Sequence, residues 1–429
     1  MANQQQSNIE KRWAAIEKAG GTDAYVRAQL REKGFLVERQ ETDGMSKRAL
    51  AKYKQELKTE AQEKRTLSKQ AWQAYKANHI VYLGDGIYWT DDTSEDRWDL
   101  ENAQKRLLEN QLPNITRVKQ LAEALELSIS ELRWLCYHRE AATSSHYVRF
   151  EIPKRSGGQR AIWAPLPKLK KVQRWILREI LNRLLVHGAA HGFLAGRSIA
   201  TNAAQHTDSQ LVVKMDIEDF FPSVSWRRVK GVFRKAGYNE QIATLLAMLC
   251  TESPREVVEH NGQTHYVALA ERCLPQGAPT SPALTNVLCL KLDRRISGTA
   301  SKFDWRYTRY ADDLTFSYAA NTKKAPSITH LLGSVKRILG EEGFKVNTKK
   351  TGVIRQGAVQ EVTGLVVNGE GAPRVNRQTK RQMRAAIHNL KQGKALPEGE
   401  SLARLRGYAA YIAMTDRALG MEMLDDLSE

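Results

Sequence analysis

The sequence predicts an α+β protein with an antiparallel sheet near its centre and helical segments at both ends. Residues 306–318 read as a β-hairpin, because two runs rich in Tyr, Thr and Phe flank an Ala311-Asp312-Asp313 tip. Residues 210–217 form an apolar run of strand length that closes on an acid, Asp216. Residues 7–78 and the tail from Arg374 are polar, heavily charged and composed of helix formers.

At 429 residues the chain is long enough for two or three domains with substantial cores. Its 66 Lys and Arg against 48 Asp and Glu, a net charge of +18, point to a polyanionic partner. Nucleic acid is favoured over a membrane surface, since no amphipathic anchor or lipidation motif accompanies the charge. No apolar run approaches the roughly 18 residues of a membrane span, and no signal core opens the chain, so a cytoplasmic protein is expected. Cys136, Cys250, Cys273 and Cys289 lack metal-ligand spacing and read as buried, reduced thiols.

In chain order, residues 1–85 are expected to form a charged helical extension ending near the turn Leu83-Gly84-Asp85-Gly86. Residues 86–145 form a helical region. Within it, residues 120–135 carry two short amphipathic helices, the second opened by Ser128 or Ser130, in the manner of a helix-turn-helix. The turn lacks a glycine and the second helix offers mostly apolar side chains, so an ordinary helical hairpin is expected in place of a base reader. From His146 the pattern becomes β: residues 147–154 alternate, Ser156-Gly157-Gly158 turns, and residues 160–164 return.

A helix from Pro167 to about Leu185 follows, with Val172, Ile176, Ile180 and Leu184 at helical spacing. After the Asp216 strand, Pro222 stops β structure and residues 224–236 read as helix. Residues 273–282 form a turn-rich loop, feeding a helix with Ser281 at the N-cap and Pro282 at the first position, running to about Ile296. Beyond the acidic hairpin come a helix at 327–340 and β segments at 344–346 and 361–368. The tail, residues 369–429, carries an apolar stripe of Met383, Ile387 and Leu390, with Arg377, Lys380, Arg381, Arg384 and Lys391 on other faces.

A carboxylate at the end of an apolar strand is costly to bury unless it is paired or bound to a cation. The bland readings are a helix N-cap for Asp216 and a solvated turn for Asp312 and Asp313. If the three lie together in one sheet, they meet the requirement for two divalent ions about 3.5–4 Å apart, which activate a hydroxyl and neutralise a leaving pyrophosphate. Hard oxygen donors suit Mg²⁺ or Mn²⁺, with Asp216 and Asp312 as principal ligands and Asp313 supporting them.

The Tyr310-Ala311-Asp312-Asp313 tip, the run Lys214-Met215-Asp216-Ile217-Glu218-Asp219-Phe220-Phe221-Pro222-Ser223 and the loop Leu274-Pro275-Gln276-Gly277 resemble reverse transcriptases in order and spacing. Asn202-Ala203-Ala204-Gln205-His206 and Val362-Thr363-Gly364, with His191-Gly192-Phe193 and Gly196-Arg197-Ser198 in register, narrow the resemblance to bacterial retron reverse transcriptases. It covers residues 146–368 well and the tail loosely.

The resemblance implies a right-hand polymerase, with fingers and palm in 146–368 and a thumb in 369–429. It implies that Phe221 is the aromatic gate against a ribose 2′-hydroxyl and that Gln276 and Gly277 line the incoming deoxynucleotide. Lys154 and Arg160 are implied to grip its triphosphate. Lys350, or adjacent Lys349, is implied to protonate pyrophosphate. The basic tail residues Arg377, Lys380, Arg381, Arg384 and Lys391 are implied to follow RNA or duplex backbone.

For the family, the expected reaction copies part of a structured non-coding RNA into DNA from a guanosine 2′-hydroxyl, giving a branched RNA–DNA product. A separate effector protein and a role in antiphage defence come with it. The alternatives are a group II intron-type reverse transcriptase, against which the short tail and the two retron elements argue, an antiphage polymerase working without a template, and a non-catalytic RNA-binding scaffold. Loss of an acid would mark the last, and all three acids are present.

Overall fold

The computed structural model describes residues 13–32, 39–87, 102–153, 157–319, 327–369, 371–397 and 399–428. The chain divides into two compact units, Met1–Tyr75 and Lys76–Glu429. The first is helical. Its helices Thr22–Glu32 and Lys47–Asn78 bury no residue, and Lys52–Glu56 and Glu60–Lys64 pair one turn apart along the second.

The second unit holds the strands β1 (Ala141–Ala142), β2 (Tyr147–Pro153), β3 (Gln159–Pro165), β4 (Ser209–Glu218), β5 (Arg255–His260), β6 (Gln263–Ala268), β7 (Trp305–Tyr310), β8 (Asp313–Ala319), β9 (Lys345–Val346), β10 (Gly352–Arg355), β11 (Glu361–Val362) and β12 (Leu365–Val366). The central sheet runs β10-β4-β8-β7, with β9 pairing the far end of β4, and every pairing in it is antiparallel. β2 and β3 form a separate hairpin, and β1, β6 and β5 a small sheet.

β4 carries apolar residues on both faces, at Leu211, Val212, Val213, Met215 and Ile217, because both faces are covered. Leu211, Val213 and Met215 enter the main core with the helices Trp226–Ala236, Glu240–Cys250, Leu290–Lys302 and Ile328–Glu341. Val212 faces the other way, into a second core with Val362, Leu365, Met383, Ile387 and Leu405. The tail helices Arg377–Lys391, Leu402–Ala413 and Arg417–Asp426 are built around that second core.

The hairpin at residues 118–136 is an ordinary one. Ser128, not Ser130, caps its second helix: its Oγ accepts from Glu131 N while the Glu131 carboxylate accepts from Ser128 N. Three other boundaries differ from expectation. The helix from Pro167 stops at Glu179 and tightens into a 3₁₀ turn, Leu181–Arg183, as Ile180 and Leu181 enter the core. The helix after the 273–282 loop breaks at Cys289 into Ser281–Leu288 and Leu290–Lys302. Thr280 stands at its N-cap position, because the Ser281 hydroxyl donates to Pro275 O at 2.8 Å and ties the loop instead. All four cysteines are buried free thiols.

Candidate active site

The pairing of β4 with β8 sets Asp216 opposite Asp313, and Ile217 N donates to Asp312 O at 3.0 Å. All three predicted acids therefore meet at one corner of the sheet. The β7–β8 hairpin closes between Tyr310 and Asp313, with Ala311 in the left-handed region at φ 55°. A side chain there costs about 1–2 kcal/mol, so the tip needs support. Arg309 provides it by donating from Nη1 to Ala311 O at 3.2 Å. Gly192 packs so close that a Cβ on it would fall 2.9 Å from Ala311 N.

Arg309 is fully buried and is held by Asp293 through Nε–Oδ1 at 2.9 Å and Nη2–Oδ2 at 2.7 Å. Asn286 Oδ1 accepts from Arg309 Nη1 at 3.0 Å, and its Nδ2 donates to Gly192 O at 2.9 Å. The predicted motifs pointed to none of these three supporting residues. The available signal was Asp293 on the buried face of an amphipathic helix, where Leu292, Ile296 and Ala300 are its neighbours.

Asp216 is buried, and both its oxygens are engaged. Oδ2 accepts from Lys350 Nζ at 2.7 Å and Oδ1 from Asn347 Nδ2 at 3.0 Å. Lys350, not Lys349, is thus the lysine that the 347–350 turn delivers to the acids. Its bond to Asp216 holds its pKa above the usual lysine range. Burial, with the charge of Asp216 behind it, raises Asp312. Asp313 keeps an open surface, yet the protein packed around its carboxyl, with Asp312 and Asp216, lifts it to about 6.

Among the described residues no three acids are drawn tightly enough to form a closed ligand set. The donor chemistry nonetheless fits a divalent cation. Lys350 bonds one of the three carboxylates, and the other two have pKa values raised by burial and by their acidic neighbours, which a cation there would relieve.

The remaining predicted residues are placed as follows. Arg160 lies on β3, exposed, and its charge is felt at Asp312; Lys154 is outside the described residues. Phe221 is half-buried, whereas Phe220 is in the core with its ring 5.6 Å from Phe344. Gln276 O accepts from Trp163 N at 2.7 Å. Gly277 has φ 125°, and a Cβ there would meet Trp163 O at 2.7 Å, so glycine is required for close approach to β3.

Arg377, Arg381 and Arg384 are exposed on the tail helix. Lys380 and Lys391 turn to Asp416 and Asp426, at 2.9 and 2.5 Å.

The two short elements before and after the palm meet beneath the hairpin. His206 is buried, with Nδ1 2.7 Å from Ser317 Oγ on β8 and Nε2 2.7 Å from Thr308 Oγ1 on β7. Thr363 Oγ1 donates to Ile199 O at 3.1 Å, and Asn202 Nδ2 lies 3.5 Å from Thr363 Oγ1. Tyr411 of the tail donates to Gly364 O at 2.8 Å.

The sequence that builds this site has close relatives. The family described as "Reverse transcriptase (RNA-dependent DNA polymerase)" matches residues 152–384, and the right-hand polymerase fold and its RNA-directed DNA polymerase activity follow. The chain is 49% identical over 425 residues to the retron Mx162 reverse transcriptase of Myxococcus xanthus, covering 97% of this chain and 88% of that protein. It is 41% identical over 316 residues to the retron Mx65 enzyme of the same organism, covering 74% and 72%. Against the retron Ec86 enzyme of Escherichia coli it is 34% identical over 305 residues, covering 71% and 86%. The chain belongs to the retron reverse transcriptases.

Proposed function

We propose that the protein copies part of a cognate structured non-coding RNA into DNA, priming from the 2′-hydroxyl of an internal guanosine and leaving a branched RNA–DNA product. The observation that carries the catalytic part of this reading is the meeting of Asp216, Asp312 and Asp313 at one corner of the sheet, with Lys350 bonded to Asp216.

Asp216 and Asp312, with Asp313 in support, would hold two Mg²⁺ ions, or Mn²⁺ in their place, which would supply activation of the attacking hydroxyl and charge neutralisation at the phosphates. Lys350, held beside the acids by its bond to Asp216, carries the proton delivered to pyrophosphate. Phe221 closes the space that a ribose 2′-hydroxyl would need. Gln276 and Gly277 form the wall beside the incoming base, and Arg160 with Lys154 holds the triphosphate. Arg377, Arg381 and Arg384 face the nucleic-acid backbone, while Lys380 and Lys391 brace the thumb.

Residues 1–85 are a charged helical N-terminal extension and 86–145 a helical region, ahead of fingers and palm at 146–368 and thumb at 369–429. The protein works in the bacterial cytoplasm beside a separate effector protein, in defence against phage. No helix among the described residues is long and apolar enough to cross a membrane.

The test is the nucleic acid that copurifies with the protein. RNA joined to DNA through a 2′–5′ linkage, resistant to ribonuclease at one guanosine and opened by a debranching enzyme, is the expected result. Linear DNA with no attached ribonucleotide would contradict it.

A further inference from the structure

The helix Ile129–Cys136 buries Ile129, Leu132, Leu135 and Cys136. Ser130, Arg133, Trp134 and Tyr137, at i, i+3, i+4 and i+7, therefore share its outer face. That face lines a cavity of about 270 Å³ whose other walls include Arg139, His146 and Arg255. The volume sits just below the roughly 300–1,000 Å³ of small-molecule sites, which suits a single nucleotide-sized group. No residue of the polymerase centre contributes to it.

The charge in this cavity is unbalanced. The guanidinium carbons of Arg133 and Arg139 lie 5.3 and 5.1 Å from the centroid of one ring, that of Tyr137. Among the described residues no carboxylate forms an ion pair with either, and Arg133 donates only to the Tyr82 carbonyl, at 3.2 Å. The one acid among the described residues of the wall, Glu252, is buried and committed to Arg255 at 3.1 Å and Arg272 at 3.5 Å. Each guanidinium is held by a ring face and, for Arg133, one carbonyl, which leaves N–H donors of both able to bind an anion in the cavity they line. Beside them stands Trp134, 49% exposed on the outer face of the helix. Its ring meets His146 edge-on at 4.3 Å, and its carbonyl oxygen is 3.0 Å from His146 Nε2. The ring is thereby fixed in place beside the cations, as a stacking platform for a base must be.

We propose that this cavity is a second nucleotide site, in which a base stacks on Trp134 and its phosphate is held by Arg133 and Arg139. The nucleotide is either an unpaired residue of bound RNA or a free mononucleotide.

The full-length protein, stripped of nucleic acid at high salt, is titrated with a short labelled oligouridine and, separately, with UMP in equilibrium dialysis. The doubly substituted Arg133→Gln, Arg139→Gln protein is expected to bind the oligonucleotide about tenfold more weakly, with the slope of log K against log salt reduced by about one unit or more. Trp134→Ala is expected to weaken binding about five- to a hundredfold at unchanged slope, and Trp134→Phe to restore most of it. Extension of a preformed primer on a generic RNA template stays within about twofold in every variant, which reports that the polymerase is folded and separates this site from the catalytic reading.

Stoichiometric UMP binding that the double substitution abolishes assigns the site to a free nucleotide. Weakened oligonucleotide binding with no UMP bound assigns it to RNA. The proposal is overturned if the double substitution leaves both titrations unchanged, or if Lys105→Gln with Lys119→Gln, a control for net charge, produces the same loss.

Discussion

Lys350 donates from Nζ to Asp216 Oδ2 at 2.7 Å, while Asn347 on the same turn donates to Oδ1 at 3.0 Å. A lysine and an amide from one short turn thus hold both oxygens of an acid 134 residues earlier. The bond raises the lysine's pKa, so the ammonium is present throughout the neutral range and available as a proton donor.

Lys350→Ala is accordingly expected to lower kcat by about 10²–10⁴-fold, with the KM for deoxynucleotide little changed. Lys349→Ala leaves kcat within about threefold, since it is Lys350 that bonds Asp216. Single-turnover incorporation measures both. The opposite ranking would transfer the role to Lys349.

Phe220 and Phe221 are adjacent but differ in burial. Phe221→Val is expected to admit ribonucleotides, read as a fall of about tenfold or more in the ratio of kcat/KM for deoxy- over ribonucleotide, from the roughly 1–3 kcal/mol that one pocket group supplies. Phe220→Ala instead destabilises the fold by about 3–5 kcal/mol, because its ring is in the core against Phe344. Unchanged discrimination in Phe221→Val would place the gate elsewhere.

The Arg309–Asp293 pair supports the strained Ala311 tip from below and is wholly inaccessible to water. Removing one partner leaves an uncompensated buried charge, so Asp293→Ala is expected to cost about 3–5 kcal/mol. Urea denaturation should show a lower midpoint at an unchanged m value. Replacing both with apolar residues, Arg309→Met with Asp293→Leu, recovers much of the stability but loses activity, because the tip loses its hydrogen bond to Ala311 O.

His206 is held neutral, its pKa pushed down to about 3 by burial first and then by the nearby charge of Arg306. An unfolded histidine titrates near 6.5. Between these values the unfolded chain binds the extra proton, so stability from this group is complete above about pH 6.5 and falls as pH drops toward 3. The full effect is on the order of a few kcal/mol. His206→Asn is expected to lower Tm at pH 7.5 and to reduce the loss between pH 7 and 5. An equally steep acid loss in the variant would assign it to other groups.

Much of this was legible in the residues. Asp216 at the end of an apolar run and the Ala-Asp-Asp tip led to the same corner of the sheet, because strand periodicity and the expense of burying a carboxylate are local properties. The Asn202–His206 and Val362–Gly364 elements named the family, but their physical work did not show. His206 bridges two strands more than a hundred residues away, and Val362 and Leu365 join Val212 in a core that only the folded chain assembles. The ordinary helical hairpin at 118–136 was legible from its apolar positions, which anchor it to the body, whereas the surroundings of its outer face were not, because Arg139 and Arg255 are brought beside it only by the fold. The pairing of Lys380 and Lys391 with Asp416 and Asp426 did not show in the sequence either, because those partners lie on a later helix.

The most direct test of the central claim is deoxynucleotide incorporation by Asp312→Asn on the RNA that copurifies with the protein, in Mg²⁺. The substitution keeps the side chain's size and removes its charge. The account predicts loss of incorporation by about 10³-fold or more, from lost charge stabilisation at the phosphates, with RNA affinity and Tm near those of the parent. Incorporation within about tenfold of the parent enzyme would show that the Asp216–Asp313 corner is not where phosphoryl transfer occurs.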